Sequence, residues 1–532
     1  MPRSETLFAA LFLGIAFAAH SGATIYNSNG SVANIQSIHD TQAVDGDTIT
    51  LPAGTFSWTT HVEITKGITI QGQTTISGAG GSNPVIADNT IVEDNSNHRT
   101  NLLALVKVTV GPTQFFRLTG ITFTQALVNN VAGNNGAIQV TNSDVQQQPS
   151  TSVRIDHCHF DLLSWESIIW TTGWVYGVDD HNVFDCHTGV LSHRIWHNKW
   201  GGQEDGNGSW ADFPYYGTEK FWFIEDNTIR GGGGSIDVMN GGRYVARHNY
   251  FRDATANSHG TEGGPQRGGR AREVYDNVFN NTVGWSGPQQ RSGGALWHDN
   301  SWTGQDSENQ THTRFSIFRA IGAIGNNLTY WGLAGGSNPW DKNDPHGLYE
   351  SGASSAQLGG GSLRDAQKQW TTNQWVGYSV TNTNPASACY LHSSYIQSNT
   401  SNTITYYFYT SRDRGARLLF NTGDTYKIYR VLTALDQNGR GKGDLISADN
   451  PPAWSNQALE PCFSWNNVYA PTGHAYGFAN QYPTEIEGRD YYNLGAGFPP
   501  NTTPQQVINT YTAALNGVNY TGPYVYPHPL TQ

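Results

Sequence analysis

Four short stretches between residues 189 and 294 hold the side chains best suited to acid–base chemistry: Gly189 to His193, Ser235 to Met239, Ser258 to Glu262 and Gln289 to Gly294. They supply His193, Asp237, His259, Glu262 and Arg291, and Arg243, Arg267, Arg270 and Arg272 flank them. Removing a proton next to a carboxylate requires a cation to neutralise that carboxylate and a base near the proton. Arginine offers a fixed bidentate fork for the first task. Histidine suits the second, since its ordinary pKa lies near neutrality and a positioned base contributes about 10² to 10⁴ in rate. His259 is the expected base, and Asp237 either orients it or, with Glu262, holds a metal. Glu262, Arg243, Arg291 and His193 are expected to bind substrate. Hydrolysis of a glycoside is the competing chemistry, and it needs two carboxyl groups about 5 Å apart for retention or roughly 6.5 to 9.5 Å apart for inversion. Asp237 with Glu262 fits it best; Asp237 with Glu166, or Asp179 with Asp180, are weaker pairs. Aromatic faces stack on sugar rings, which brings in Trp196, Trp200, Trp210, Trp222, Tyr215 and Tyr216, although most Trp side chains are packing residues. Trp200 and Tyr215 are taken as substrate-binding.

Such scattered residues must be gathered by a repeating scaffold, and the sequence contains one. An apolar residue, a polar pair ending in Asn, a variable residue and an aromatic or aliphatic residue recur around Asn182, Asn227, Asn249, Asn277, Asn300 and again Asn467. The first five are separated by 45, 22, 28 and 23 residues, and the first step reads most simply as two coils. Self-similarity at this interval with strand-like composition favours a stacked parallel β-helix over a helical solenoid. Roughly a dozen coils of about 23 residues are expected. Stacked coils lie about 4.8 Å apart, so equivalent positions in consecutive coils can act on one sugar unit. The Asn residues are read as a structural ladder that bonds neighbouring coils.

The opening strands, Ala43-Val-Asp-Gly-Asp-Thr-Ile-Thr-Leu, Ile68-Thr-Ile-Gln-Gly and Leu118-Thr-Gly-Ile-Thr-Phe, resemble the first coils of right-handed parallel β-helices of the pectate lyase-like superfamily. Val153-Arg-Ile-Asp-His-Cys-His-Phe is similar to the Ile-Asp-His strand of pectate lyases. Arg267-Gly-Gly-Arg-Ala-Arg-Glu-Val-Tyr-Asp-Asn is similar to their Arg-bearing stretch. The resemblance spans residues 30 to 330 or thereabouts. It implies an all-β, right-handed parallel β-helix, and Arg267 or Arg270 as an alternative catalytic base. Calcium is the metal it would imply, but the family's closely spaced calcium-binding carboxylates are not recognisable, and the Arg stretch lacks the family's Pro. No cofactor is carried over as certain. Polygalacturonase-type hydrolases are disfavoured, because Asp179-Asp180 and Ser258-His259-Gly260 lie several coils apart.

The remaining composition sets the setting. Charged residues make up 14% of the 532 residues and the net charge is −12 without any basic run, which argues against nucleic-acid binding through phosphate neutralisation. Residues 1–23, with Arg3, an apolar run from Leu7 to Ala19 and Ser21-Gly22-Ala23, read as a secretory signal peptide. A secreted, extracellular or periplasmic monomer with no membrane span is expected. Export would permit disulfides, and Cys158–Cys186 and Cys389–Cys462 are the expected pairings among three possible, with buried free thiols as the alternative. The β-helix is assigned to 24–337, a small inserted β-domain to 338–436, and a final coil with a C-terminal tail to 437–532, the tail packing across or capping the solenoid. The expected function is degradation of a uronate-containing polysaccharide by a lyase, with a glycoside hydrolase or a noncatalytic carbohydrate-binding surface protein as alternatives.

Overall fold

The structure is a computed structural model. It describes residues 22–96, 104–125, 136–142, 149–163, 167–187, 189–197, 207–231, 236–260, 268–283, 288–305, 313–315, 348–376, 378–390, 392–406, 408, 418–429, 438–441, 458–480, 487–488, 490–498, 520 and 522–532. The proposed signal peptide lies almost wholly outside the described residues, as do the expected domain boundaries at 337/338 and 436/437.

Short strands with alternating burial wind into a parallel β-helix with three faces. One face is a 12-stranded sheet, the second an 11-stranded sheet whose last strand pairs antiparallel, and the third a 6-stranded sheet continued by a 3-stranded one. Inward residues form one continuous apolar core. Within it Phe123, Phe160 and Phe184 stack at 5.3 and 5.0 Å, and Phe251, Phe279 and Trp302 at 4.7 and 5.1 Å. The helix Val32–Thr41, capped by Ser31, packs Ile35 and Ile38 against the first coils.

The corner between the first two faces is made by one repeated device. The residue ahead of each ladder Asn sits in the left-handed region, at φ of 55° in His181, 54° in Asp226, 57° in His248, 53° in Asp276, 54° in Asp299 and 52° in Asn466. The Asn that follows bonds the next coil. Asn182 N donates to Asn227 Oδ1 at 2.8 Å, Asn227 N to Asn249 at 2.9 Å, Asn249 N to Asn277 at 3.0 Å, Asn277 N to Asn300 at 3.1 Å and Asn300 N to Asn467 at 3.2 Å. Each Nδ2 also donates to a carbonyl of the preceding coil, as Asn249 does to Ile224 O at 2.8 Å.

Two expectations need correcting. The 45-residue step is one coil, not two, because Val178 pairs directly with Phe223; the extra length leaves the solenoid between strands Leu191–Trp196 and Trp222–Glu225. All four cysteines are buried thiols that no disulfide joins. The reason for the first pair is register: His159 pairs with Val183, so Cys158 occupies a ladder-Asn position opposite Asn182 while Cys186 lies opposite Leu162. Burial pushes the thiols of Cys158 and Cys186 well above their ordinary value.

Residues 348–429 include an antiparallel 6-stranded sheet around its own core of Trp370, Trp375, Ile396, Ile404 and Ile428. The coil pattern then resumes, with Leu296 pairing Phe463. The C-terminal segment 520–532 runs across the outer face of the 12-stranded sheet. Arg247 donates to Tyr524 O at 2.6 Å and Val525 O at 2.8 Å while pairing with Glu225, and His528 N donates to the same Glu225 at 3.0 Å. Beneath it Glu273 accepts from Gly217 N at 2.7 Å and Tyr520 Oη at 3.3 Å. Burial dominates there and pushes its carboxyl up to about 7, the two hydrogen bonds and Arg247 notwithstanding.

Two outcomes follow from this packing. Asn249→Ala strips the Asn227 N–H and the Ile224 carbonyl of their ladder partner and should cost roughly 2 to 4 kcal/mol in denaturant unfolding. A raised carboxyl favours the protonated folded state, so the stability tied to Glu273 is complete below its ordinary 4.5 and is lost as pH rises through about 7. Glu273→Gln should therefore melt above the parent protein at alkaline pH, by up to roughly 3 kcal/mol, and show no such advantage in acid. Parallel melting curves across pH would refute this origin of the shift.

Candidate functional site

The third face positions the chemistry through its pairing register. Ile169, His193 and Ile236 align, as do Trp170, Arg194 and Asp237, then Thr171, Ile195 and Val238, then Thr172, Trp196 and Met239. Strand side chains alternate sides, so the first and third rows fill the core and the second and fourth face outward. The second row continues as Glu63, Lys107, Gln139, Trp170, Arg194 and Asp237.

Past Met239 this sheet ends in a single bridge between Ile236 and Ala256. His259 is then held by its own backbone: its N–H donates to Val238 O at 2.9 Å, and its carbonyl accepts from Gly269 N at 3.0 Å. The close return of the chain needs Gly268, where a Cβ would lie 2.4 Å from the Ser292 Cβ. This placement sets His259 Nδ1 at 3.1 Å from Asp237 Oδ1 and 3.3 Å from Oδ2. Burial would raise the Asp237 carboxyl, but His259, Arg194 and Arg291 together outweigh it and keep it below its ordinary value. An ionised carboxylate only accepts, so Nδ1 carries the proton and Nε2 is the basic nitrogen. The His259 side chain is 28% exposed, enough to meet a ligand. Arg194 Nε stands 3.7 Å from Asp237, its guanidinium 5.5 Å from the Trp196 ring, and Trp170 meets Trp196 edge-on at 5.2 Å. Both indoles are half-buried, so the dyad has a partly exposed aromatic platform beside it. The arrangement can take up a proton at His259 Nε2, hold the resulting imidazolium against Asp237, and offer ring faces to a sugar.

Sequence reasoning named Asp237, His259 and Arg291, and the fold brings these together. Other expected residues sit elsewhere. His193 is fully buried inside the solenoid, 3.1 Å from Asp179 and 2.8 Å from Ser192 Oγ, so it does not face a substrate. Asp179 also accepts from Trp222 Nε1 at 2.7 Å, whereas Asp180 faces outward to Arg154, which excludes the two as a pair flanking one bond. Arg270, expected as an alternative base, is fully buried and paired with Glu460 at 2.5 Å while donating to Asp212 O. Arg243 is buried against Ser209 and the Phe213 carbonyl. Tyr215 lies over Arg243 at 5.2 Å and Lys220 at 4.0 Å and bonds Asp212, so these residues brace the 207–220 segment. Trp210 and Trp222 are core residues. Arg267, Glu262, Glu166 and Trp200 lie outside the described residues. Arg194 and Trp170 were missed. The signal was present in strand parity: aligning Ile195 with Val238 puts His193 inside and Arg194 outside.

Among the described residues no group of three or more His, Cys, Asp or Glu side chains is placed to hold a metal ion, and Glu262, the expected partner of Asp237 in such a site, lies outside them. No helix among them is long and apolar enough to cross a membrane.

No family model matches the chain, and no curated protein matches it. Among solved structures the chain is similar to the crystal structure of the Acinetobacter phage vB_ApiP_P1 tailspike protein, at 8% identity and a TM-score of 0.21, over 77% of this chain and 87% of that one. The parallel β-helix is established by the sheet register itself.

Proposed function

We propose that this chain is an exported enzyme that cleaves a uronate-containing polysaccharide by β-elimination on the outer side of the third face. The observation that carries the reading is the His259–Asp237 pair, in which the buried Asp237 lies on an outward-pointing row beside Arg194, Trp170 and Trp196 and holds the partly exposed His259. In this reading His259 Nε2 takes the proton from the sugar carbon that bears the carboxylate. The electron pair left behind forms a double bond to the neighbouring ring carbon, whose bond to the glycosidic oxygen breaks; the departing oxygen is protonated from solvent. Asp237 keeps Nδ1 protonated and stabilises the imidazolium, and Arg194 with Arg291 supplies positive potential for the extra negative charge. The indoles of Trp170 and Trp196 stack on sugar rings. Hydrolysis remains the runner-up through Asp237 with Glu262, and the aromatic platform alone would serve a noncatalytic sugar-binding protein.

Incubation with a panel of uronate polymers should raise the ultraviolet absorbance of the conjugated unsaturated uronate in step with reducing ends. His259→Ala should lower that rate by about 10² to 10⁴ with an unchanged melting temperature. Reducing ends without absorbance would replace elimination by hydrolysis, and turnover that survives His259→Ala would remove that residue from the mechanism. Asp237→Asn should let the second His259 tautomer appear, seen in the ring nitrogen shifts by NMR, and lower turnover in parallel; a single unchanged tautomer would sink the orienting role of Asp237.

A further inference from the structure

A second cluster of ionisable side chains lies on the 11-stranded sheet, away from the His259 pair. Asp161, Asp185, Arg230 and Arg252 align coil by coil in its outward row. Where these strands end, they line an open cleft of about 490 Å³ together with His187 and Asp253. Most charge in the cleft is already matched. Arg230 forks Asp185 with two contacts of 2.7 Å, and His187 Nε2 lies 2.7 Å from Asp161. Asp253 accepts from Thr282 N and Thr282 Oγ1 at 2.6 Å and Val283 N at 3.0 Å. Arg252 stands apart: its side chain is 55% exposed, and its Nε is 3.9 Å from Asp253, beyond hydrogen-bond reach. The cleft thus places an uncommitted guanidinium fork two and three coils from the Asp185 and Asp161 carboxylates, which are held in place by their partners.

That combination suits one ligand class. A sugar ring needs acceptors and donors a few ångströms apart for its hydroxyls, and a uronate adds one planar carboxylate, the group that a guanidinium fork matches. Coil spacing of about 4.8 Å sets the four row positions from Asp161 to Arg252 along about 14 Å, roughly the span of three sugar units. We propose that this cleft is a second binding site for a short acidic sugar chain, with Arg252 holding the carboxylate of one unit and Asp161, Asp185 and His187 taking hydroxyls of the neighbouring units. The ligand class rests on the carbohydrate reading above; the place rests on the cleft's own geometry. The site would hold an acidic glycan chain on a face of the solenoid other than the one that cleaves it.

The test titrates full-length His259→Ala protein, in which turnover is expected to be slowed about 10² to 10⁴-fold, with trimers of galacturonate, glucuronate and mannuronate and with a carboxyl-reduced neutral trimer, by calorimetry. At least one uronate trimer should bind at two sites, and adding Arg252→Gln should remove one site or weaken it by about tenfold, at equal melting temperature. Arg252→Gln in the otherwise intact chain should leave elimination from trimers unchanged. Stoichiometry and affinity unaltered by Arg252→Gln, equal binding of the neutral trimer, or no binding by any uronate would each overturn the proposal. The two readings fail separately: elimination with an Arg252-independent titration discards the cleft alone, whereas an Arg252-dependent site with no elimination from any polymer discards the catalytic reading and keeps the cleft.

Discussion

Everything in this solenoid depends on the corner where a left-handed residue is followed by an inward-turned Asn. The left-handed step bends the chain sharply between two faces, and His, Asp and Asn tolerate it at lower cost than other side chains. The Asn amide then satisfies backbone groups on the coils either side, which would otherwise be buried without partners. Because the same amide bonds coil after coil from Asn182 to Asn467, register cannot slip at the corner. A one-residue slip would turn every core residue outward. The alignment of Trp170, Arg194 and Asp237 on the third face is therefore inherited from a corner on the other side of the coil.

This origin explains which features the sequence revealed. The corner is short-range chemistry, written into three or four consecutive residues, and the Asn block was legible without a structure. Coil length was not, because a solenoid tolerates excursions between its strands: the 45 residues from Asn182 to Asn227 are one coil with a long detour, and the 167 from Asn300 to Asn467 are one coil carrying an antiparallel sheet. Counting residues misled the disulfide reading in the same way, since 28 residues separate Cys158 and Cys186 but the local offset is the 24 that takes His159 to Val183. At the site the types were legible and the parity was not. Asp237 and His259 were found, while His193 was taken in place of its neighbour Arg194, an error of one position that exchanges the core for the surface.

Arginine shows the same limit from another side. Residue type suggested substrate contact for Arg243 and Arg270, yet both are buried under the 207–220 segment, one on backbone carbonyls and a serine, the other on Glu460 and Asp212. Arg247 and Arg154 likewise hold the C-terminal segment, through carbonyls roughly 280 to 380 positions distant in sequence. A parallel β-helix has outer faces made of regularly spaced, fully paired strands, and whatever covers them must be fastened by side chains. Forked donors fasten carbonyls well, so Arg is consumed structurally. No local pattern separates such an arginine from one that meets a ligand; only its partner, far away in sequence, does.

The location of the His259–Asp237 pair follows from the same regularity. In an unbroken stack each outward side chain stands beside equivalents one coil above and below, and all point the same way. Unlike groups in such a row meet directly, as Arg230 and Asp185 do, and at the end of a sheet a side chain from the next coil can join them. The 6-stranded sheet ends at Ile236–Met239, the next coil gives it one bridge, and the chain turns back through Gly268 to lie against Met239 and His259. There the His259 backbone still bonds Val238 O, and its ring reaches across to a carboxylate of the preceding coil. Asp237, still inside the regular sheet, stays fixed between Arg194 and His259 and keeps its charge despite burial. A fixed acceptor thus meets a partly exposed imidazole at the end of the 6-stranded sheet, the arrangement on which the proposed proton transfer rests.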